Sequence, residues 1–83
     1  MSQEIEEIEK KQIGLRFREF RKSNGILQTD LEEGVPTTFV QISRIENGHR
    51  YPSVEILIYM AKTHNMDINY ILTGQRHVKG NAK

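Results

Sequence analysis

Residues 39–47 read Phe-Val-Gln-Ile-Ser-Arg-Ile-Glu-Asn, and their types and spacing suit contact with base edges. On a helix, at about 100° per residue, Ile42, Ile45 and Glu46 share one side. Val40, Ser43, Arg44 and Asn47 share the opposite side, with Gln41 at its flank, and Phe39 lies near the N-terminal tip at the boundary between the two faces. That outward face is small, polar and cationic, and it contains no acid. A helix of this kind fits the major groove of B-DNA. Arg44 can fork to guanine O6 and N7, Gln41 and Ser43 can hydrogen-bond bases or phosphates, and Val40 and Phe39 can touch a thymine methyl. The plain alternative is a solvated helix face.

Glu46 argues against the plain alternative. It falls on the inward side near a helix C-terminus, where the macrodipole disfavours negative charge. A carboxylate placed there needs a cation, because an unpaired buried charge is costly. Arg21, at the end of the preceding long amphipathic segment, is the expected partner, since a guanidinium can hold a carboxylate with two hydrogen bonds. Such a bridge would set the pose of the 39–47 helix without touching a ligand.

The elements that must position these residues are all helical in period. Ile13, Phe17 and Phe20 mark one face of a helix over 13–22, stopped by Ser23-Asn24-Gly25. Residues 1–12 carry Glu4, Glu6, Glu7 and Glu9, which suit a helix start, so this leader either extends the helix backwards or frays. A short helix over Leu27–Glu33 is anchored by Leu31, with Gly34 expected as a left-handed cap. Val35-Pro36 breaks the chain, and Thr37 or Thr38 caps the next helix, which runs to about Asn47 with Gly48 beyond it. Ser53 caps a fourth helix with Val54, Leu57, Ile58 and Ala61 as the expected buried stripe. Asp67 caps a fifth, with Ile68, Ile71 and Leu72 inside and Thr73-Gly74 at its end. Tyr51, Tyr59 and Tyr70 stand at helix spacings and read as core-edge packing rather than a base-stacking platform. The polar stretch 75–83 reads as a loose tail. The expected fold is all-α, five short helices around a helix-turn-helix spanning Gln28 to Pro52.

Composition narrows the function classes. Eighty-three residues allow one small domain with a thin core. The chain has no cysteine, which removes disulfides and thiolate metal sites and points to a reducing, cytoplasmic compartment. His49, His64 and His77 are too far apart in sequence to form a close ligand pair, so no metal and no cofactor is expected. No stretch approaches the roughly 20 apolar residues of a membrane span, and the acidic start is unlike a signal peptide. An enzyme is not expected. There is no glycine-rich phosphate loop, and Ser43 and His49 make no persuasive nucleophile–base pair. The net charge of +1 hides an asymmetry: residues 1–12 balance at −2 and residues 13–83 at +3.

These residues resemble the phage-repressor-like, or XRE-type, helix-turn-helix family. The match runs through Ile13-Gly14, Arg21, Gln28, Leu31, Ile42-Ser43-Arg44-Ile45-Glu46-Asn47-Gly48, Arg50, Pro52-Ser53, Ala61 and Ile71-Leu72-Thr73-Gly74, about residues 13–74. The resemblance implies a lambda-repressor-like DNA-binding domain. By that resemblance Gln28 contacts a phosphate, Thr38, Phe39, Val40 and Arg44 face bases or nearby backbone, and Asn47 and Arg50 touch phosphates. Arg21 and Glu46 match the family's structural ion pair. The implied function is a sequence-specific transcriptional repressor, binding double-stranded DNA as a homodimer. The competing reading is a protein-interaction module, an antitoxin or anti-repressor subunit with a protein partner. The expected dimer surface is either the last helix with its tail or the leader bearing Ile5, Ile8 and Leu15.

Three positions depart from the family pattern. Leu27 replaces a serine cap and Glu32 a small alanine. Pro36 replaces a turn glycine, for which Gly34 is the expected substitute. Asp30, Glu32 and Glu33 make the second helix acidic, so they are expected to face away from DNA.

Overall fold

Glutamates at its start and cations at its end let the first helix run long. In the computed structural model, which describes residues 3–76, α1 spans Gln3–Ser23. The acidic leader is therefore the first part of α1 rather than a separate element. Gly25, at φ 69°, turns the chain away after it. The chain continues as α2 (Gln28–Gly34), α3 (Phe39–Glu46), α4 (Val54–His64) and α5 (Ile68–Thr73), with no strand among the described residues. The tail beyond Arg76, with His77, lies outside the described residues.

The core is built from Ile13 and Phe17 of α1, Ile26, Leu31 of α2, Ile42 and Ile45 of α3, Ile56 and Met60 of α4, Met66, and Ile71 of α5. Phe20, Val35, Leu57, Tyr59, Ile68 and Tyr70 pack around its edge. Two expectations for this core are corrected. The buried face of α4 is Ile56 and Met60 rather than Val54, Leu57, Ile58 and Ala61. Val54 and Ile58 are exposed, and Leu57 and Ala61 are only partly buried. Residues 56–61 are apolar almost throughout, so periodicity alone does not choose a face. On α5, Leu72 is exposed and Ile71 alone is fully inside.

The caps follow the side chains available. Ser53 accepts a hydrogen bond from the Ile56 N–H at 3.2 Å, and Asp67 accepts from the Tyr70 N–H at 3.1 Å. α5 ends on Gly74 at φ 80°, and the Arg16 guanidinium donates to the Ile71 carbonyl at 2.9 Å, tying α1 to α5. Leu27 has no capping side chain. Asp30 serves instead, its carboxylate accepting from the Leu27 N–H at 2.8 Å. The start of α2 is thus held by one of the acids that make this helix negative.

The turn between α2 and α3 is also corrected. Gly34 is the last helical residue and is not left-handed. The chain leaves α2 through extended Val35 and enters α3 through extended Thr38, a conformation Pro36 accepts readily. Gly34 serves a contact instead. A Cβ there would lie 2.3 Å from the Tyr59 ring of α4.

Candidate nucleic-acid interface

Helix α3 is fixed from four directions. At its start, the Thr38 hydroxyl accepts from the Gln41 N–H at 3.3 Å, and the Glu32 carboxylate accepts from the Phe39 N–H. The glutamate that replaces a small residue in α2 thus reaches the N-terminus of α3. There it satisfies an otherwise unpaired donor and meets the positive end of the helix dipole. Underneath, Ile42 and Ile45 are buried in the core. Alongside, Gly14 of α1 brings the two backbones together: a Cβ would lie 2.2 Å from the Ile45 carbonyl oxygen and 3.0 Å from that of Glu46. At its end, Asn47 caps the helix and Gly48 turns the chain at φ 80°, close against Lys11.

A further constraint is ionic. Arg21 Nε donates to Glu46 Oε2 at 2.6 Å, and Arg21 Nη2 donates to Glu46 Oε1 at 3.0 Å. Both residues are buried. Arg21 Nη1 also donates to the Ile26 carbonyl at 2.8 Å. Gln28 Nε2 joins the cluster, donating to Glu46 Oε1 at 3.2 Å and, more weakly, to the Ser43 hydroxyl at 3.4 Å. One carboxylate therefore links α1, α2 and α3.

The opposite side of α3 faces outward. Phe39, Val40, Arg44 and Asn47 are exposed, while Gln41 and Ser43 are partly buried at its two flanks. Beside Ser43, a small cleft is lined by Arg18, Gln28 and Asn47, with the Arg21–Glu46 pair at its back. On the Gln41 side, a second cleft is lined by Thr37, Thr38, Gln41, Arg50, Ser53 and Glu55, among others. Arg50 Nη1 donates to Gln41 Oε1. A guanidinium has only donors, so the atom facing it must be the amide oxygen, and the Gln41 NH₂ is left to point elsewhere.

The structure thus gathers Gln28, Ser43 and Asn47 on one flank and Thr38, Gln41 and Arg50 on the other. Phe39, Val40 and Arg44 form the ridge between them. Arg18 lines the first of these clefts and was not anticipated from the sequence. Its signal is the three-residue step to Arg21, which puts both cations on one face of α1. The acids of α2 are partly accounted for: Asp30 and Glu32 are held by backbone N–H groups, and Glu33 is exposed.

Among the described residues, five helices, the third locked against the first and presenting an exposed face free of acids, define a class, the DNA-binding regulatory domain. A family model described as Helix-turn-helix matches residues 17–71, more than half of the chain. The chain belongs to this family, the phage-repressor-like, XRE-type helix-turn-helix proteins, which marks it as a DNA-binding transcription regulator. No curated protein and no solved structure matches it. No helix among the described residues is long and apolar enough to cross a membrane.

Proposed function

We propose that the protein is a sequence-specific repressor that inserts α3 into the major groove of double-stranded DNA and acts as a homodimer on a two-fold operator. The observation that carries this reading is the ridge of Phe39, Val40 and Arg44, held in one pose by the buried Arg21–Glu46 pair. A fixed ridge can discriminate bases, because the cost of ordering it has already been met on folding. Arg44 reads a guanine edge. Phe39 and Val40 supply apolar contact to thymine methyls. Gln41, its oxygen held by Arg50, presents its NH₂ donors more freely than its acceptor. It therefore suits acceptors such as guanine O6 or a phosphate better than the adenine edge, which needs a donor and an acceptor together. Asn47, Arg50 and Thr38 bind the flanking phosphates. Gln28 and Ser43 stand between scaffold and phosphate, since the Gln28 amide already donates to Glu46 and to the Ser43 hydroxyl.

The Arg44→Ala variant is expected to lose about 1–3 kcal/mol of affinity for the preferred site and to relax one base position. Fluorescence anisotropy on the preferred site and on scrambled DNA checks this. An equal loss on every sequence would make Arg44 a phosphate contact instead. The Arg50→Ala variant is expected to weaken binding on all sequences and to reduce the slope of log K against log salt by about one counterion's worth. An unchanged slope would remove Arg50 from the phosphate contacts. The interaction-module reading makes the opposite prediction, capture of a specific protein partner with no DNA shift by the chain alone.

A further inference from the structure

The N-terminal half of α1 carries a second pattern that the DNA-facing surface does not use. Ile5, Ile8, Gln12 and Leu15 recur at steps of three, four and three, the a/d spacing of a coiled-coil seam. On the helix they lie about 180° from Ile13, Phe17 and Arg21, the side turned to the core. Ile5, Ile8 and Leu15 are 46%, 54% and 52% exposed. The extended part of α1 is itself supported. Lys10 Nζ lies 5.3 Å from the centre of the Tyr51 ring, and Gly48 packs on Lys11. Partial desolvation, then the charges of Glu9 and Glu6, raise the Tyr51 hydroxyl above its ordinary pKa, consistent with this end of α1 lying along the loop after α3.

From this we infer that the outer stripe of α1 is an interaction surface for the same stripe of a second copy, packed antiparallel. Charge selects both the occupant and its direction. The first turns of α1 hold Glu4, Glu6, Glu7 and Glu9, and the rest holds Lys10, Lys11, Arg16, Arg18 and Lys22 against Glu19, with Arg21 turned inward and already paired to Glu46. A helix so polarised is complementary to its own reverse. With the two-fold axis near residue 10, Ile5 meets Leu15 of the second copy, Ile8 meets its Gln12, and Glu4 approaches its Arg18. Like charges then meet only near the axis, where Glu9 and Lys11 each face their own copy. The parallel arrangement instead sets Glu4 against Glu9 and Lys11 against Arg16, twice each, with no attractive pair in return. Three apolar side chains per copy make a small interface, of the transient class. The two copies therefore exchange with monomer in solution and are completed by a shared duplex. The inference deepens the homodimer reading above and rests on it for the number of copies.

Because the chain has no cysteine, single cysteines report the geometry directly. In the full chain, an equimolar mixture of Ile8→Cys and Gln12→Cys variants is expected to form the mixed disulfide in preference to either self-linked dimer. A self-linked Ile8→Cys dimer as the main product, or no cross-linking beyond that of an exposed Glu33→Cys control, would overturn the proposal. Sedimentation equilibrium across the micromolar-to-millimolar range is expected to show reversible dimerisation, weakened about tenfold or more by Ile8→Asp at unchanged helix content. A monomer throughout, or an Ile8→Asp dimer as tight as wild type, would equally overturn it. DNA binding is read separately on a single half-site, where Ile8→Asp is expected to match wild type. Loss of half-site binding by wild type itself would reject the DNA reading and leave the dimer standing.

Discussion

Replacing Arg21 with alanine is expected to destabilise the protein by about 3–5 kcal/mol, the usual cost of stripping one partner from a buried ion pair. The reason lies in what remains. Glu46 would stay buried beneath α3, with only the Gln28 amide to hydrogen-bond it, and the Ile26 carbonyl would lose its donor. For a domain of this size each kcal/mol corresponds to roughly 4–8 °C, so the melting temperature should fall on the order of 15–30 °C. Thermal unfolding followed by circular dichroism measures this, and a melting temperature within a few degrees of wild type would contradict it. The double change Arg21→Met with Glu46→Leu separates scaffold from function. Apolar replacement of both partners is often neutral or better for stability. The double variant should therefore regain most of the lost stability. If it also binds its operator normally, any well-packed pair suffices to hold α3.

Gly14→Ala is the second large effect. The added Cβ would stand 2.2 Å from the Ile45 carbonyl oxygen, a backbone atom inside α3 that cannot swing aside. Either α3 moves away from α1 or α1 bends. We expect a loss of about 3 kcal/mol, the upper part of the range for overpacking a core. Because the same shift tilts the ridge that carries Arg44, specific DNA affinity should fall even below the unfolding transition, more than non-specific affinity does. Unfolding in urea with binding measured at low temperature tests both parts. A variant as stable as wild type would mean that α1 and α3 separate easily.

Much of the architecture was legible because the residues that build it act locally. Ser53 and Asp67 cap the helices they precede, Asn47-Gly48 closes α3, and Ile42 and Ile45 set its inward side by their spacing. The Arg21–Glu46 pairing could be anticipated from one charge placed where an isolated charge is untenable. Other features depended on partners far away in sequence. Gly34 looks like a turn residue, yet its lack of a side chain makes room for Tyr59 of α4. Glu32 looks like an intrusion between α2 and α3, yet it caps the second of them. The buried face of α4 could not be read from a segment apolar on nearly every side. Among the candidate site residues, the outward positions of Val40, Arg44 and Asn47 follow from the helix period, whereas the exposure of Phe39, at the boundary of the two faces, does not. The engagement of Gln28 with Glu46 and of Gln41 with Arg50 does not, because each bridges separate elements. Arg18 was hidden because its cleft is completed by residues of α2 and α3, far from it in sequence.

The central claim, that the ridge of α3 reads DNA sequence as part of a two-fold pair, is tested most directly by selecting binding sites from random duplex DNA with the full chain. The predicted result is a palindromic motif whose half-sites lie about one helical turn, near 34 Å, apart. Repeating the selection with Arg44→Ala should blur one position in each half and leave the spacing unchanged. Recovery of no enriched motif by the wild-type chain would contradict the claim.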